Sequence, residues 1–438
     1  VRALSIATVF VAASGYFILM IAAKAMPHEI YQSFLVYWGM FFALTGLLDG
    51  LMQETARSVT AARSHDVRTP NPARPLRLTG IFGVAIGLVV LVTGMLWAPR
   101  LAPGQEGLGI GLMVLGLISY AFQAGICGLL SATHKWTSFG VLISVDSGVR
   151  LLLAVIAWLL GWQIAAFLIV TVLGAATWVV ALAVSPAMRG LLSSVADVNS
   201  SAFSHQAFRA MIASGANAAL ITGFPVLLEF TSPASTAQGA LAGTLTAVTL
   251  TRAPILVPLQ RFQPALIVHF TKNRAHVLRA SLVPIAAIAG ISAVGAIAAW
   301  LIGPWLMGLF FPDVPAVAGW ALGLLTLVAG ASAILMVAGS AALSADRHTL
   351  YSVGWIVSTV VAIGLLLVDT SPEWRSILAL GIGPLVGTAL QLGVLSWTAP
   401  RATDSDMGAS PLPQALDDKA ADDTAVGDTA LSDRASGD

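Results

Sequence analysis

A few ionisable or strongly polar side chains fall inside long apolar runs of this 438-residue chain, and any chemistry is expected there. Asp146 and Arg150 lie four residues apart, so on a helix they share one face with the acid on the N-terminal side, the favourable order. An ionisable group at the centre of a membrane helix costs about 2.5–3.5 kcal/mol on insertion scales. The pair is therefore either a self-neutralising strut or a polar cavity wall that gates in response to protons or ions. Arg252 has no acid within four residues, and Pro254 and Pro258 follow it and are expected to kink its helix. An unpaired Arg at this depth faces a wet cavity, an anion or an acid on another segment, and its planar fork suits phosphate. Asp49 lies near the end of an apolar run and reads as an interfacial or coupling carboxylate. Glu54 and Arg57 form an i,i+3 pair just beyond it. Asn217 stands among small residues, as a helix-packing hydrogen bond or a cavity lining. Tyr120 and Gln123 share a face and read similarly, while Glu229 falls at a segment end and is expected to be solvated.

Several chemistries have no residues to carry them. The histidines (28, 65, 134, 205, 269, 276 and 348) fall at segment ends or in connections and show no H-x-x-x-H spacing, so no metal is expected. The sequence contains neither G-x-x-x-x-G-K-[ST] nor G-x-S-x-G, and the single Cys127 excludes a disulfide framework. Glu29, Glu106, Glu229, Asp313, Asp369 and Glu373 are scattered over five short connections, so paired-carboxylate catalysis would need two of them to converge. The expectation is a carrier and not an enzyme, with no cofactor and no nucleic-acid partner.

The elements that must position these residues are membrane helices. Hydrophobic residues make up 57% of the chain and charged ones 10%, against about 45–50% and 25% in soluble domains. Too few charges remain to cover a water-facing surface. A spanning helix needs about 20 apolar residues, and the sequence offers twelve such segments: 3–23, 33–52, 78–98, 107–130, 138–160, 164–184, 209–230, 238–260, 279–303, 315–341, 349–369 and 376–398. With the N-terminus inside, 17 Lys and Arg residues fall on the cytoplasmic side, Arg68 and Arg274 among them, and 3 outside: Lys24, Arg100 and Arg375. That bias places both termini in the cytoplasm of a cell whose plasma membrane holds the protein. The run before Ala23-Lys24-Ala25 is about 21 residues, longer than the roughly 7–15 of a signal peptide's apolar region, so the first segment reads as a span. Nine of the 21 acids lie after residue 400, in a tail rich in Ala, Asp, Ser and Thr that lacks apolar periodicity. Residues 399–438 are thus expected to be a disordered, acidic, cytoplasmic tail, either solvated or a docking segment for a cytoplasmic partner.

The chain also repeats itself. Pro27 and Gln32 recur as Pro233 and Gln238, an offset of 206, and Thr45 falls on Thr251 by the same shift. Six spans per half give two like-oriented lobes, 1–184 and 209–398, joined by a cytoplasmic linker, 185–208. The expected fold is an all-α polytopic membrane protein with two pseudo-repeated six-helix lobes around a central cavity.

Three stretches carry a family resemblance across about residues 1–400. They are Ala25-Met26-Pro27-His28-Glu29-Ile30-Tyr31-Gln32-Ser33-Phe34 closing with Gln53-Glu54-Thr55-Ala56-Arg57; Leu309-Phe310-Phe311-Pro312-Asp313; and Pro254-Ile255-Leu256-Val257-Pro258-Leu259-Gln260. The chain resembles the polysaccharide-export branch of the multidrug/oligosaccharidyl-lipid/polysaccharide (MOP) flippase superfamily. The resemblance implies a carrier that moves a polyprenyl-pyrophosphate-linked oligosaccharide between leaflets by alternating access. Arg252 matches the cationic position of the eighth span in related flippases, and Arg57 is the candidate at the inner mouth. With Asn217 these form the expected substrate-binding set; Asp146, Arg150 and Asp49 form the expected gating and coupling set. The nearest alternative is a cation-coupled multidrug exporter of the same superfamily, and a membrane glycosyltransferase or polymerase is the alternative from another class.

Overall fold

The computed structural model describes residues 2–64, 69–233, 239–273, 276–345 and 347–398. His65, Arg68, Arg274, the 234–238 part of the second repeat copy and the acidic tail lie outside the described residues. The first half runs α1 (Arg2–Ala25), α2 (His28–Ser64), α3 (Pro75–Leu101), α4 (Glu106–Ala132), α5 (Trp136–Leu159), α6 (Ile164–Leu173) and α7 (Thr177–Val184). The four-residue α8 (Pro186–Arg189) follows. The second half runs α9 (Ser200–Ile221), α10 (Phe224–Thr231), α11 (Ala242–Lys272), α12 (Val277–Phe310), α13 (Gly319–Ser344), α14 (His348–Leu366) and α15 (Pro372–Thr398). No strand occurs among the described residues; Pro72 and Asn199 form one isolated bridge.

Ten described helices are long and apolar enough to cross a membrane, eleven if the bent pair α9 and α10 counts as one span. The eighth expected segment corresponds to α11, which at 31 residues is also long enough to cross. Its helical run passes Pro254 and Pro258 without interruption. Exposed apolar side chains such as Val283, Val294, Leu301 and Trp305 line α12. A band of this kind is what lipid covers and water does not.

Three boundaries differ from expectation. The second segment does not end at 52, because Gln53 to Arg57 continue the helix to Ser64. The sixth breaks into a 3₁₀ turn at Gly174–Ala176. The seventh begins at Ser200, where the Asn199 side chain accepts from the Ala202 N–H, and bends by 66° between Ile221 and Phe224. Gly223 followed by Pro225 in the first turn of α10 makes that break: Pro supplies no N–H to continue the ladder, and its fixed φ suits a new helix start.

Besides a smaller core around Val59, Leu130 and Leu142 in the first half, a larger buried core runs through both halves. Its central contact is antiparallel packing of α2 on α9. A Cβ on Gly50 would overlap the Met211 backbone, so glycine permits the close approach. The 185–208 linker is fastened to the connection before α3: Ala73 N–H donates to Val198 O (2.8 Å) and Ala196 N–H to Ala73 O (2.9 Å).

Candidate functional site

A cavity of about 1170 Å³ lies between the halves. Its walls come from α2, α4, α9, α11, α13 and α14. It opens where α2 stops and α9 and α14 start, since Arg57, Arg209 and His348 line it and are exposed. We call this the basic end. For a membrane protein the lining is polar: besides those residues it includes Thr45, Asp49, Gln53, Glu54, Tyr120, Gln206, Ser214, Asn217, Gln263 and Tyr351.

The opposite end is packed shut by side chains that tie the halves together. Buried Gln32 on α2 donates through Nε2 to Glu229 Oε2 (2.9 Å) and accepts at Oε1 from the Leu241 N–H (2.9 Å). Glu229 is therefore half-buried and bonded, not simply solvated. The Arg100 guanidinium stands 5.4 Å from the Phe230 ring centroid.

Of the expected site residues, Asp49, Arg57 and Asn217 line the cavity. Asp49 accepts from the Tyr120 hydroxyl (2.7 Å), which fastens α4 to α2. It stands well inside the cavity because α2 continues for fifteen residues beyond it. Asn217 Nδ2 contacts the Tyr351 hydroxyl (3.4 Å), while its Oδ1 is buried without a partner. Arg57 lies at the mouth but is already occupied. It binds Glu54 through Nε and Nη2 (3.0 and 2.7 Å), Asp197 through Nη1 (3.3 Å) and Gln206 Oε1 through Nη2 (2.7 Å). Two carboxylates offset its one charge.

Arg150, Asp146 and Arg252 are not among the cavity-lining residues. Arg150 Nε donates to Asp146 Oδ1 (2.6 Å), and Gln123 Nε2 donates to the other oxygen (3.0 Å). Arg150 Nη1 also donates to Thr171 O, at the break in the sixth span, and its guanidinium lies over the Phe41 and Phe42 rings. Gly174 is required beside them, because a Cβ there would overlap both Asp146 and Arg150.

Arg252 is 4% exposed and has no carboxylate within ion-pair distance among the described residues. Its Nη1 donates to Leu220 O (3.0 Å) and Ile221 O (3.3 Å), the carbonyls freed where α9 ends. Arg375, also buried, likewise reaches Thr231 O and Leu366 O (both 3.4 Å), at the ends of α10 and α14. Each buried Arg thus satisfies carbonyls that a helix terminus leaves unpaired, where the helix dipole favours a cation. Arg252 keeps spare capacity: its Nε and Nη2 are buried without partners. It stands beside the cavity wall formed by Ile221 and Thr222.

Sequence reasoning did not single out Arg209, Gln206, His348 or Tyr351 as site residues. The available signal was the α9 pattern, with 206, 209, 213 and 217 recurring on one helical face.

Among curated proteins, Rv3630 of Mycobacterium tuberculosis (strain H37Rv), described as uncharacterized, is 37% identical over 385 residues, 88% of this chain and 89% of its own length. Rv1510 of the same strain, also uncharacterized, is 37% identical over 390 residues, 89% of this chain and 90% of its own. The chain belongs to the same family as these two proteins. No family model matches it. In fold, the family member resembles the inward-facing conformation of a multidrug resistance MATE family transporter of the MOP superfamily, with a TM-score of 0.70 at 15% identity over 89% of this chain and 96% of that one. It also resembles a MOP superfamily transporter from Pyrococcus furiosus, with a TM-score of 0.65 at 15% identity over 91% and 95%. The fold is therefore that of the MOP transporters.

Proposed function

We propose that this family member is a membrane carrier that moves a polyprenyl-pyrophosphate-linked oligosaccharide across the plasma membrane for surface polysaccharide assembly. The halves 1–184 and 209–398 would act as lobes that rock about the α2–α9 contact, with the basic end and both termini in the cytoplasm. The carrying observation is the cavity: open at the basic end, packed shut at the other, and lined by hydroxyl and amide groups suited to sugar hydroxyls. At about 1170 Å³ it exceeds the roughly 300–1,000 Å³ of a pocket for a drug-sized ligand.

In this reading Arg252 is the deeper anion contact. This conformation holds it on the α9 carbonyls, and a movement of the Ile221–Thr222 wall later in the cycle would let its two free donors take over the pyrophosphate from the mouth. Arg57 shapes the mouth through its carboxylates. Asp146 and Arg150 brace the first lobe, their two charges cancelling within one helix. The acidic tail is proposed to serve polysaccharide-assembly proteins as a docking segment.

A second reading, a cation-coupled multidrug exporter, is favoured by one observation: Asp49 presents a carboxylate to the cavity. Proteoliposomes separate the two. Under the leading reading, the purified protein carries a fluorescent prenyl-pyrophosphoryl disaccharide to the other leaflet and leaves an organic cation such as ethidium untouched. Ethidium movement driven by an ion gradient, with no movement of the lipid, would establish the exporter instead.

A further inference from the structure

We infer that α9 is the substrate-reading helix of the cavity, with Arg209 as the seat for the anionic group and Asn217 as the acceptor for a hydroxyl. This rests on the lipid-linked oligosaccharide reading and specifies how the substrate lies in the site.

The argument begins with charge. The cavity lining holds two carboxylates and two guanidinium groups, and three of these four are engaged. Glu54 is bound to Arg57, Arg57 also binds Asp197, and Asp49 accepts from Tyr120. Both oxygens of Asp197 are taken by Arg57 as well. Arg209 lines the same mouth, is exposed, and forms no ion pair or hydrogen bond with any described residue. Among the described residues, no acid at the mouth is left to neutralise it. A free guanidinium on a low-dielectric wall attracts an anion more strongly than one in open water, and its fork matches phosphate oxygens.

The second observation is polar and lies further in. Asn217 is part of the cavity lining, and its Oδ1 is buried without a partner, so that a turn of the side chain would offer it to a ligand. A buried acceptor without a donor costs stability unless a ligand supplies one. Eight residues separate Arg209 from Asn217, about 12 Å along a helix. A ligand lying along α9 thus meets a cation near the mouth and a hydrogen-bond acceptor deeper in. That order matches an anionic lipid-phosphate group joined to an uncharged, hydroxyl-bearing sugar chain.

The test uses the full-length protein in lipid nanodiscs with two probes. Geranylgeranyl pyrophosphate carries the anion alone, and geranylgeranyl-pyrophosphoryl-N-acetylglucosamine adds the sugar. Titration calorimetry should show that Arg209→Gln weakens both probes at least tenfold and removes most of the salt dependence of binding. Arg209→Lys should recover part of the loss. Asn217→Leu should weaken only the sugar-bearing probe. Each variant is first checked for a single gel-filtration peak and an unchanged melting temperature. If the native protein binds both probes and Arg209→Gln binds them equally well, the Arg209 assignment is wrong. Equal loss of both probes in Asn217→Leu would remove the sugar role of Asn217. If the native protein binds neither probe, the lipid-pyrophosphate reading itself falls, and this inference with it.

Discussion

Arg150 and Arg252 are both buried and solve the same local problem, the free carbonyls of a broken span, with different electrostatic results. Arg150 brings its own acid. Replacing it with Ala strands Asp146 in a buried site, and removing one partner of a buried pair costs about 3–5 kcal/mol. We therefore expect Arg150→Ala to melt at a clearly lower temperature than the native protein in detergent. The double variant Asp146→Asn/Arg150→Gln should recover much of the difference, as read by thermal unfolding. Arg252 has no acid to strand. Arg252→Ala should insert and accumulate normally yet abolish complementation of a strain lacking the gene, and full complementation by it would remove Arg252 from the transport cycle. The sequence displayed the 146–150 pair because its members are four apart on one helix. It could not display the neutralisation of Arg57, because Asp197 is 140 residues away and reaches Arg57 only through the fastened linker.

The elements show where apolar length is informative and where it is not. Runs of about 20 apolar residues located the spans, because burying the backbone in lipid leaves few alternatives to a helix. The same ruler ended the second segment too early, since Gln53 and Glu54 are polar yet face a cavity and not the membrane surface. It also missed the bend between α9 and α10, because both pieces are apolar and only Gly223 and Pro225 betray the break. At the closed end, Gln32 holds α2 to α10 and to the start of α11. Gln32 Nε2 lies 2.9 Å from Glu229 Oε2, so cysteines at these two positions should be joined by a short, reducible bis-methanethiosulfonate cross-linker that replaces the length of the two native side chains. The native Cys127 is buried and should contribute little background. Cross-linking of Gln32→Cys/Glu229→Cys should arrest transport, and reduction should restore it. Transport that continues in fully cross-linked protein would show that this end does not open. Gly50→Val should lower the melting temperature, because overpacking typically costs about 1–3 kcal/mol and here meets the backbone of Ala210 and Met211.

At the scale of the molecule, polarity is concentrated where two halves face each other, and the outer surface is given over to apolar side chains such as those of α12. An anchor or scaffold has no use for a polar cavity of about 1170 Å³ closed at one end. The cavity's charge balance was not legible in the sequence, because it depends on which carboxylates are already bound. The direct test of the flippase reading is made in cells lacking this gene, by extracting polyprenyl-linked sugars and labelling only those on the outer leaflet with a reagent that does not cross the membrane. We predict that complete lipid-linked oligosaccharide accumulates on the inner leaflet while surface polymer is lost. An unchanged lipid-linked pool, or accumulation on the outer leaflet, would contradict the reading and point respectively to an exporter of other molecules or to a polymerase.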